Sequence, residues 1–401
     1  AEPLRAAGYH LSFAGKWHVS AAETPADRGW EELIVTSKRG THHGRSINDW
    51  RAQARQPEQE NPRCHGQIVR PGWGDNQLYD SVPDERMRAV DALNHDEQVV
   101  QAAVDALPRL AASNQPWLLF VGMIGPHDPF VVPESYLQRY DPAAIPLPAS
   151  YHDSLDDKPR VYQRMRRQYW DQLTEQEVRE SIAHYWAYCT YEDDLLGRVL
   201  DALHATGQAD DTLVLFLSDH GDYCGAHGLY LKGVPAFREA YHVPCIARWP
   251  AGIAAPNRTV DATVTLADFA PTFMELAGIA PPPDLSGRSL VPFLRGTATP
   301  ADWPDAFYSQ MNGVELYYSQ RIVATAEYKY VYNGFDFDEL YDLRRDPHEL
   351  ENLADQQEYQ EIKHELVRKM WRFAAREDDI IFNPYGTVAL APWGPADALG
   401  Q

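Results

Sequence analysis

Leu213-Val214-Leu215-Phe216-Leu217-Ser218-Asp219-His220-Gly221-Asp222 is the stretch that decides how this chain folds. Its five opening apolar residues stand between Asp210-Asp211 and Gly221. They predict a fully buried strand, the kind found in a parallel sheet covered on both faces. The run stops on an acid and a histidine. In open α/β sheets ligands bind just outside the carboxyl ends of the strands, so Asp219 and His220 stand where chemistry is expected. A carboxylate and an imidazole side by side there can hold a divalent cation. Taken alone, such a pair is more often an ordinary polar turn.

Working outward, Thr174-Glu175-Gln176-Glu177 is a capping box. It opens a long helix that closes at Gly207, with Ile182, Trp186, Cys189, Leu196, Val199, Leu200 and Leu203 on the expected apolar face. Downstream, Gly221 to Gly233 is a glycine-spaced loop that brings His227 and Lys232 near the same strand end. Two more strands exit on polar groups. Tyr9 to Gly15 predicts a strand leaving through Gly15-Lys16-Trp17-His18. Lys16 and His18 are two apart, so an extended segment presents both to one bound oxyanion. A helix from Asp96 to Ala112 precedes a second buried strand, Pro116 to Ile124, which exits through Pro126-His127-Asp128-Pro129. Singly, each of these is as well explained by a surface turn or a structural histidine. Together they form a set.

At 401 residues the chain is long enough for a large core and a second, smaller domain. The net charge of -22 argues against a general nucleic-acid or anionic-membrane surface, but not against a small anion held by a few cations in a cleft. No run approaches the roughly 18 apolar residues of a membrane span, and no signal-peptide pattern opens the chain. Cys64, Cys189, Cys224 and Cys245 form no C-x-x-C pair, so neither a zinc ribbon nor a disulfide framework is indicated, and the compartment stays open. Residues 27–82 and 131–173 read as long excursions that line a substrate cleft. The adjacent His42-His43 in the first is read as a solvated loop pair, and Arg164-Met165-Arg166-Arg167 in the second as one face of a solvated helix. Beyond Pro281-Pro282-Pro283, alternating residues from Val314 to Val331 and again at Glu339-Leu340-Tyr341-Asp342-Leu343 predict antiparallel hairpins, with a helix from Glu358 to Arg376 packed on them. The expected fold is α/β: a large mixed, mostly parallel sheet sandwiched by helices over residues 1–295, then an antiparallel-sheet subdomain with its packing helix over 296–401. Glu2 to Gly8 reads as the last turns of a helix closing on a glycine, which suggests sequence upstream.

The strand-exit residues Lys16, His18, His127, Asp219, His220, His227 and Lys232, in this order, resemble the sulfatase family of the alkaline-phosphatase superfamily. Gly8-Tyr9 through Gly15-Lys16-Trp17-His18 is similar to that family's second signature. Pro126-His127-Asp128-Pro129 resembles its Pro-His-x-Pro element, and Ser218 to Asp222 with Gly228 and Lys232 its metal-and-lysine segment. Tyr328-Lys329-Tyr330 through Asp346-Pro347 and Glu351-Asn352-Leu353 resembles its C-terminal subdomain. The resemblance implies that Asp219 and His220 ligate one divalent cation, calcium first, with Mn2+ or Mg2+ as alternatives. It implies that Lys16 and Lys232 bind sulfate oxygens and that His18 contacts the nucleophile. His127 would bond the sulfate or assist the leaving alkoxide, and His227 would orient neighbours or touch substrate. The substrate would be a small anionic ester, such as a sulfated sugar or an aryl sulfate.

One departure stands against these matches. The family nucleophile is a formylglycine made in a Cys-x-Pro-x-Arg motif, and no cysteine here has Pro two residues on and Arg four on. The family's N-terminal Asp-Asp pair is absent as well. The expectation is therefore a sulfatase whose formylglycine segment lies upstream or on a separate N-terminal fragment. The alternatives are a phosphonate or phosphate ester hydrolase of the same superfamily, or a non-catalytic anion-binding remnant.

Overall fold

A computed structural model of the chain describes residues 1–20, 22–38, 63–70, 74–88, 95–296, 298–313, 317–382 and 387–400. Strand β1 (His10–Trp17) is followed by β2 (Glu31–Lys38), helix α1 (Asp96–Ala111) and β3 (Trp117–Gly122). These strands form a parallel sheet with β1 in the middle. Parallel neighbours need a long crossover, and α1 provides the one into β3. Its apolar residues recur at helical spacing, and Val99, Val100, Ala103, Leu107 and Leu110 are all buried. Each larger side chain among them contributes roughly 1.5–3 kcal/mol relative to exposure.

Helix α2 (Arg160–Tyr169) leads to the long α3 (Glu175–Ala205), and then to β4 (Val214–Leu217) and β5 (Cys245–Arg248). The capping box at the start of α3 is present. Thr174 Oγ1 accepts the Glu177 N–H at 3.2 Å, and Glu177 Oε2 accepts the Thr174 N–H at 2.9 Å. The buried face of α3 is displaced from the expected stripe. Val178, Ile182, Tyr188, Tyr191, Leu195 and Leu203 are buried, whereas Trp186 and Cys189 are exposed. Tyr188 and Tyr191, which lie outside the expected stripe, supply core contacts.

The central strand departs from expectation. Residues 214–217 do form a strand, but it pairs antiparallel with β5 in a two-stranded ribbon and is not fully buried. Val214 packs with Trp117, Leu119 and Leu203, and Leu215 packs with Phe269 and Phe293 on the opposite face. Phe216 and Leu217 remain 38% and 37% exposed, and Ile246 of β5 is 61% exposed. The same correction applies to β3, where Phe120 is 43% exposed. Apolar composition reports that a strand suits burial on both faces; coverage depends on neighbours, and among the described residues none covers these side chains.

The last part of the chain carries β6 (Ala306–Met311), β7 (Gln320–Thr325), β8 (Tyr328–Asn333), β9 (Glu339–Asp342) and helix α4 (Gln360–Arg376). The strands form an antiparallel sheet in sequence order. Leu366, Val367, Met370 and Trp371 of α4 pack on Val323, Tyr330, Tyr332 and Leu340. Buried polar contacts tie this sheet to the first unit. The Tyr162 hydroxyl donates to Glu339 Oε1 at 2.7 Å, Gln320 Nε2 donates to the Val234 carbonyl at 2.9 Å, and Lys329 Nζ donates to the Ala236 carbonyl at 2.5 Å. The sheet therefore grips the segment that follows Lys232. Among the described residues, no helix is long and apolar enough to cross a membrane.

Candidate active site

The first wall of the site is built at the carboxyl ends of β1 and β3. Gly15 lies opposite Gly122 in the parallel register, and Phe13 stacks on Phe120 with ring centroids 4.8 Å apart. Trp17 packs edge-on against Phe13 and donates its indole N–H to the Glu23 carbonyl at 2.6 Å. These contacts fix the backbone that carries Lys16. The lysine is half-buried at the strand end, and His18, just beyond it, is exposed.

His127 comes from the turn after β3. Its Nδ1 lies 2.9 Å from the Asp128 carbonyl oxygen and 2.9 Å from Asp128 Oδ1. Both partners are acceptors, so Nδ1 carries the proton and Nε2 presents a lone pair. That lone pair accepts from Lys232 Nζ at 2.5 Å. The sequence placed Lys232 near this strand end, and the loop shows how it gets there. Asp222 Oδ1 accepts the N–H groups of Cys224 at 2.8 Å and Leu231 at 3.1 Å, and Tyr223 N–H donates to the Leu231 carbonyl at 3.0 Å. The loop closes on itself and returns Lys232 beside the residue it left from. Burial, together with the nearby Asp128 charge, pushes the Asp222 carboxyl up to about 7, against the two backbone donors and Lys232.

Asp219 and His220 leave the end of β4. The His220 and His127 rings meet edge to face, with centroids 5.7 Å apart. His220 Nδ1 donates to the Gly221 carbonyl at 2.8 Å, which leaves its Nε2 lone pair 3.8 Å from Asp219 Oδ1. Burial pushes this imidazole toward its neutral form, with Lys232 and His127 acting in the same direction. An oxygen and a nitrogen lone pair at that separation suit one shared cation, since each would lie roughly 2.0–2.6 Å from it. Among the described residues, no third His, Cys, Asp or Glu joins them. The two residues thus fit an edge of a cation's coordination shell and leave the remaining positions to other donors.

The structure brings His127, Asp219, His220 and Lys232 together, with Lys16 and His18 on the adjoining strand end. It does not bring His227 to them. That residue, expected as a substrate contact, has no exposed surface; its ring stacks on Phe237 at 3.5 Å, and its Nδ1 bonds Asp153 Oδ2 at 2.8 Å. His42-His43 lies outside the described residues. Asp128, which bonds His127, and Asp222, which closes the Lys232 loop, were not singled out in the sequence, although both sit inside the quoted motifs. The available signal was an acid within two residues of His127 and of His220.

Comparison with known proteins fits this geometry. A family model described as Sulfatase matches residues 1–279, and another, described as N-sulphoglucosamine sulphohydrolase, C-terminal, matches residues 225–376. An uncharacterized sulfatase, YidJ, of Escherichia coli (strain K12) is 28% identical over 406 residues, covering 96% of this chain and 73% of that protein. The choline-sulfatase of Rhizobium meliloti (strain 1021) is 30% identical over 369 residues, covering 88% of this chain and 67% of its own length. Among solved structures, the phosphonate monoester hydrolase SpPMH from Silicibacter pomeroyi has a similar fold, with a TM-score of 0.71 at 23% identity over 94% of this chain and 80% of that one.

Proposed function

We propose, from the premise that this chain belongs to the sulfatase family of sulfuric ester hydrolases, that it acts on a small sulfate ester bound across the ends of β1, β3 and β4. The observation that carries this reading is the Lys232–His127 contact set beside the Asp219–His220 pair. Lys232 and Lys16 bind sulfate oxygens as preorganised cations inside an otherwise acidic protein, where fixed charges are worth more than in water. His127 holds Lys232 in place through Nε2 and stands next to the group that departs; its proton on Nδ1 is kept by Asp128. His18, just beyond the end of β1, would contact the nucleophile, a formylglycine expected on a segment outside this sequence. Asp219 and His220 would hold a divalent cation, calcium first, which would supply polarisation of the ester oxygens and offset developing negative charge. A sulfated sugar is the substrate class in view, supported by the N-acetylglucosamine-6-O-sulfatase of Bacteroides thetaiotaomicron, 34% identical over 47% of this chain.

The test pairs binding with turnover. Calorimetry with calcium alone should show binding to the chain that Asp219→Asn weakens while the circular dichroism spectrum stays unchanged. In the enzyme assembled with its formylglycine-bearing segment, turnover of an aryl sulfate should exceed that of the matching aryl phosphonate and vanish in the same variant. Unchanged turnover in Asp219→Asn would remove Asp219 from the site, and a preference for the phosphonate would replace sulfate by phosphorus chemistry.

A further inference from the structure

Behind the turn that carries His127 lie two buried carboxyl groups with no part in the chemistry above. Asp96 opens α1 and has no exposed surface. Its Oδ1 accepts the Ile124 N–H and its Oδ2 the Gly125 N–H, both at 2.8 Å. Ile124 in turn accepts the His127 N–H through its carbonyl at 3.1 Å, so the carboxylate grips the first half of the turn whose second half aims the imidazole. Glu192 of α3 packs on the same turn, close enough to Asp96 that the two carboxyls act on each other. A Cβ on Gly125 would lie 2.3 Å from Glu192 Oε1 and 2.5 Å from Tyr188 Cε2. The turn is thus held between a hydrogen-bonding carboxylate and a wall with no slack.

We propose that Asp96 is a positioning residue for His127, acting through the Ile124-Gly125 backbone and clamped in place by α3. The role rests on the reading of His127 as part of the sulfate site, but the geometry itself does not. Two backbone donors converging on one carboxylate need both of its oxygens as acceptors. An amide offers one oxygen and turns its nitrogen donor toward the other N–H, so the turn must shift. Asp96 has no exposed surface, so bulk water cannot take over the lost bond and the cost is met by movement.

The decisive measurement is histidine-selective NMR on the full chain, with the His127 ring signal assigned through His127→Gln. In Asp96→Asn the His127 signal should move or broaden, while those of His227 and His184, which are held by other elements, stay in place. Gly125→Ala presses on the same turn through Glu192 and Tyr188 and should shift the same signal, which keeps the test open if Asp96→Asn does not fold. An unmoved His127 signal in a folded variant overturns the proposal. Turnover then separates the two readings. Asp96→Asn should lower aryl sulfate kcat by roughly 10²-fold, as for a misplaced catalytic group, with KM little changed. In a His127→Ala background it should cost nothing further, and additive losses would show that Asp96 does not act through His127. In the enzyme assembled with its formylglycine-bearing segment, absent sulfate turnover beside a shifted His127 signal would sink the sulfate-ester reading and leave the positioning role standing.

Discussion

Gly15 and Gly122 meet back to back across β1 and β3, so closely that a Cβ on Gly15 would sit 2.0 Å from the Gly122 carbonyl oxygen. Gly15 also has φ +122°, in the region where a side chain is strained. Gly15→Ala should therefore cost about 1–3 kcal/mol of stability from overpacking and backbone strain. Because Lys16 is the next residue, the same change should lower sulfate-ester turnover. Urea unfolding and kcat/KM on the purified variant check both halves.

Lys232 is anchored at two levels: by the closed loop that Asp222 holds, and by His127 Nε2. Removing its charge should lower aryl sulfate kcat/KM by roughly 10²–10³-fold, the usual cost of one charge-stabilising donor. Lys232→Ala with wild-type turnover would mean that the ester oxygens are held elsewhere.

Far from the site, Arg321 and Asp379 form an ion pair with no exposed side-chain surface, at 2.5 Å and 2.6 Å, and the Tyr308 hydroxyl also donates to Asp379. Asp379→Ala leaves a buried guanidinium without its counter-charge and should destabilise the chain by about 3–5 kcal/mol. The melting temperature of the variant tests this. Replacing both partners by apolar residues should recover much of the loss.

Acid stability should report Glu177. Burial alone would raise its carboxyl, but Arg63 at 2.7 Å, the N–H groups of Thr174 and Gly66, and the Thr174 hydroxyl outweigh that and hold it at about 2, below its ordinary 4.5. Between those values the unfolded chain binds a proton that the folded one refuses. The contribution to stability is therefore complete above about pH 4.5 and is lost as pH falls toward 2. Denaturant unfolding across that interval should show a downward slope that Glu177→Gln flattens.

Most of the site is legible in the sequence because strand exits are written locally. Lys16, His127 and Asp219-His220 each follow an apolar run that ends in a polar residue, and Lys232 lies within a glycine-spaced loop. What settles each one's chemistry is not local. The proton on His127 Nδ1 depends on how Asp128 folds back, and the departure of His227 from the cleft depends on Asp153, 74 residues away. His227 also takes a positive φ, which no spacing rule announces. The C-terminal hairpins and the capping box were readable for the opposite reason, since alternation and capping are decided within a few residues. Burial of β4 was not, because composition states an appetite for cover and only the neighbours satisfy it.

The ribbon of β4 and β5 has a colloidal consequence. Each strand bonds only the other among the described residues, so each offers a row of unspent amide and carbonyl groups beside Phe216, Leu217 and Ile246. Such a rim is adhesive toward any extended backbone that reaches it, including that of an identical neighbour. The mean particle mass of this chain by light scattering should accordingly grow with protein concentration. A lysine in place of Ile246 should keep the solution clear, acting as a charged bumper on the rim rather than as a change to the core.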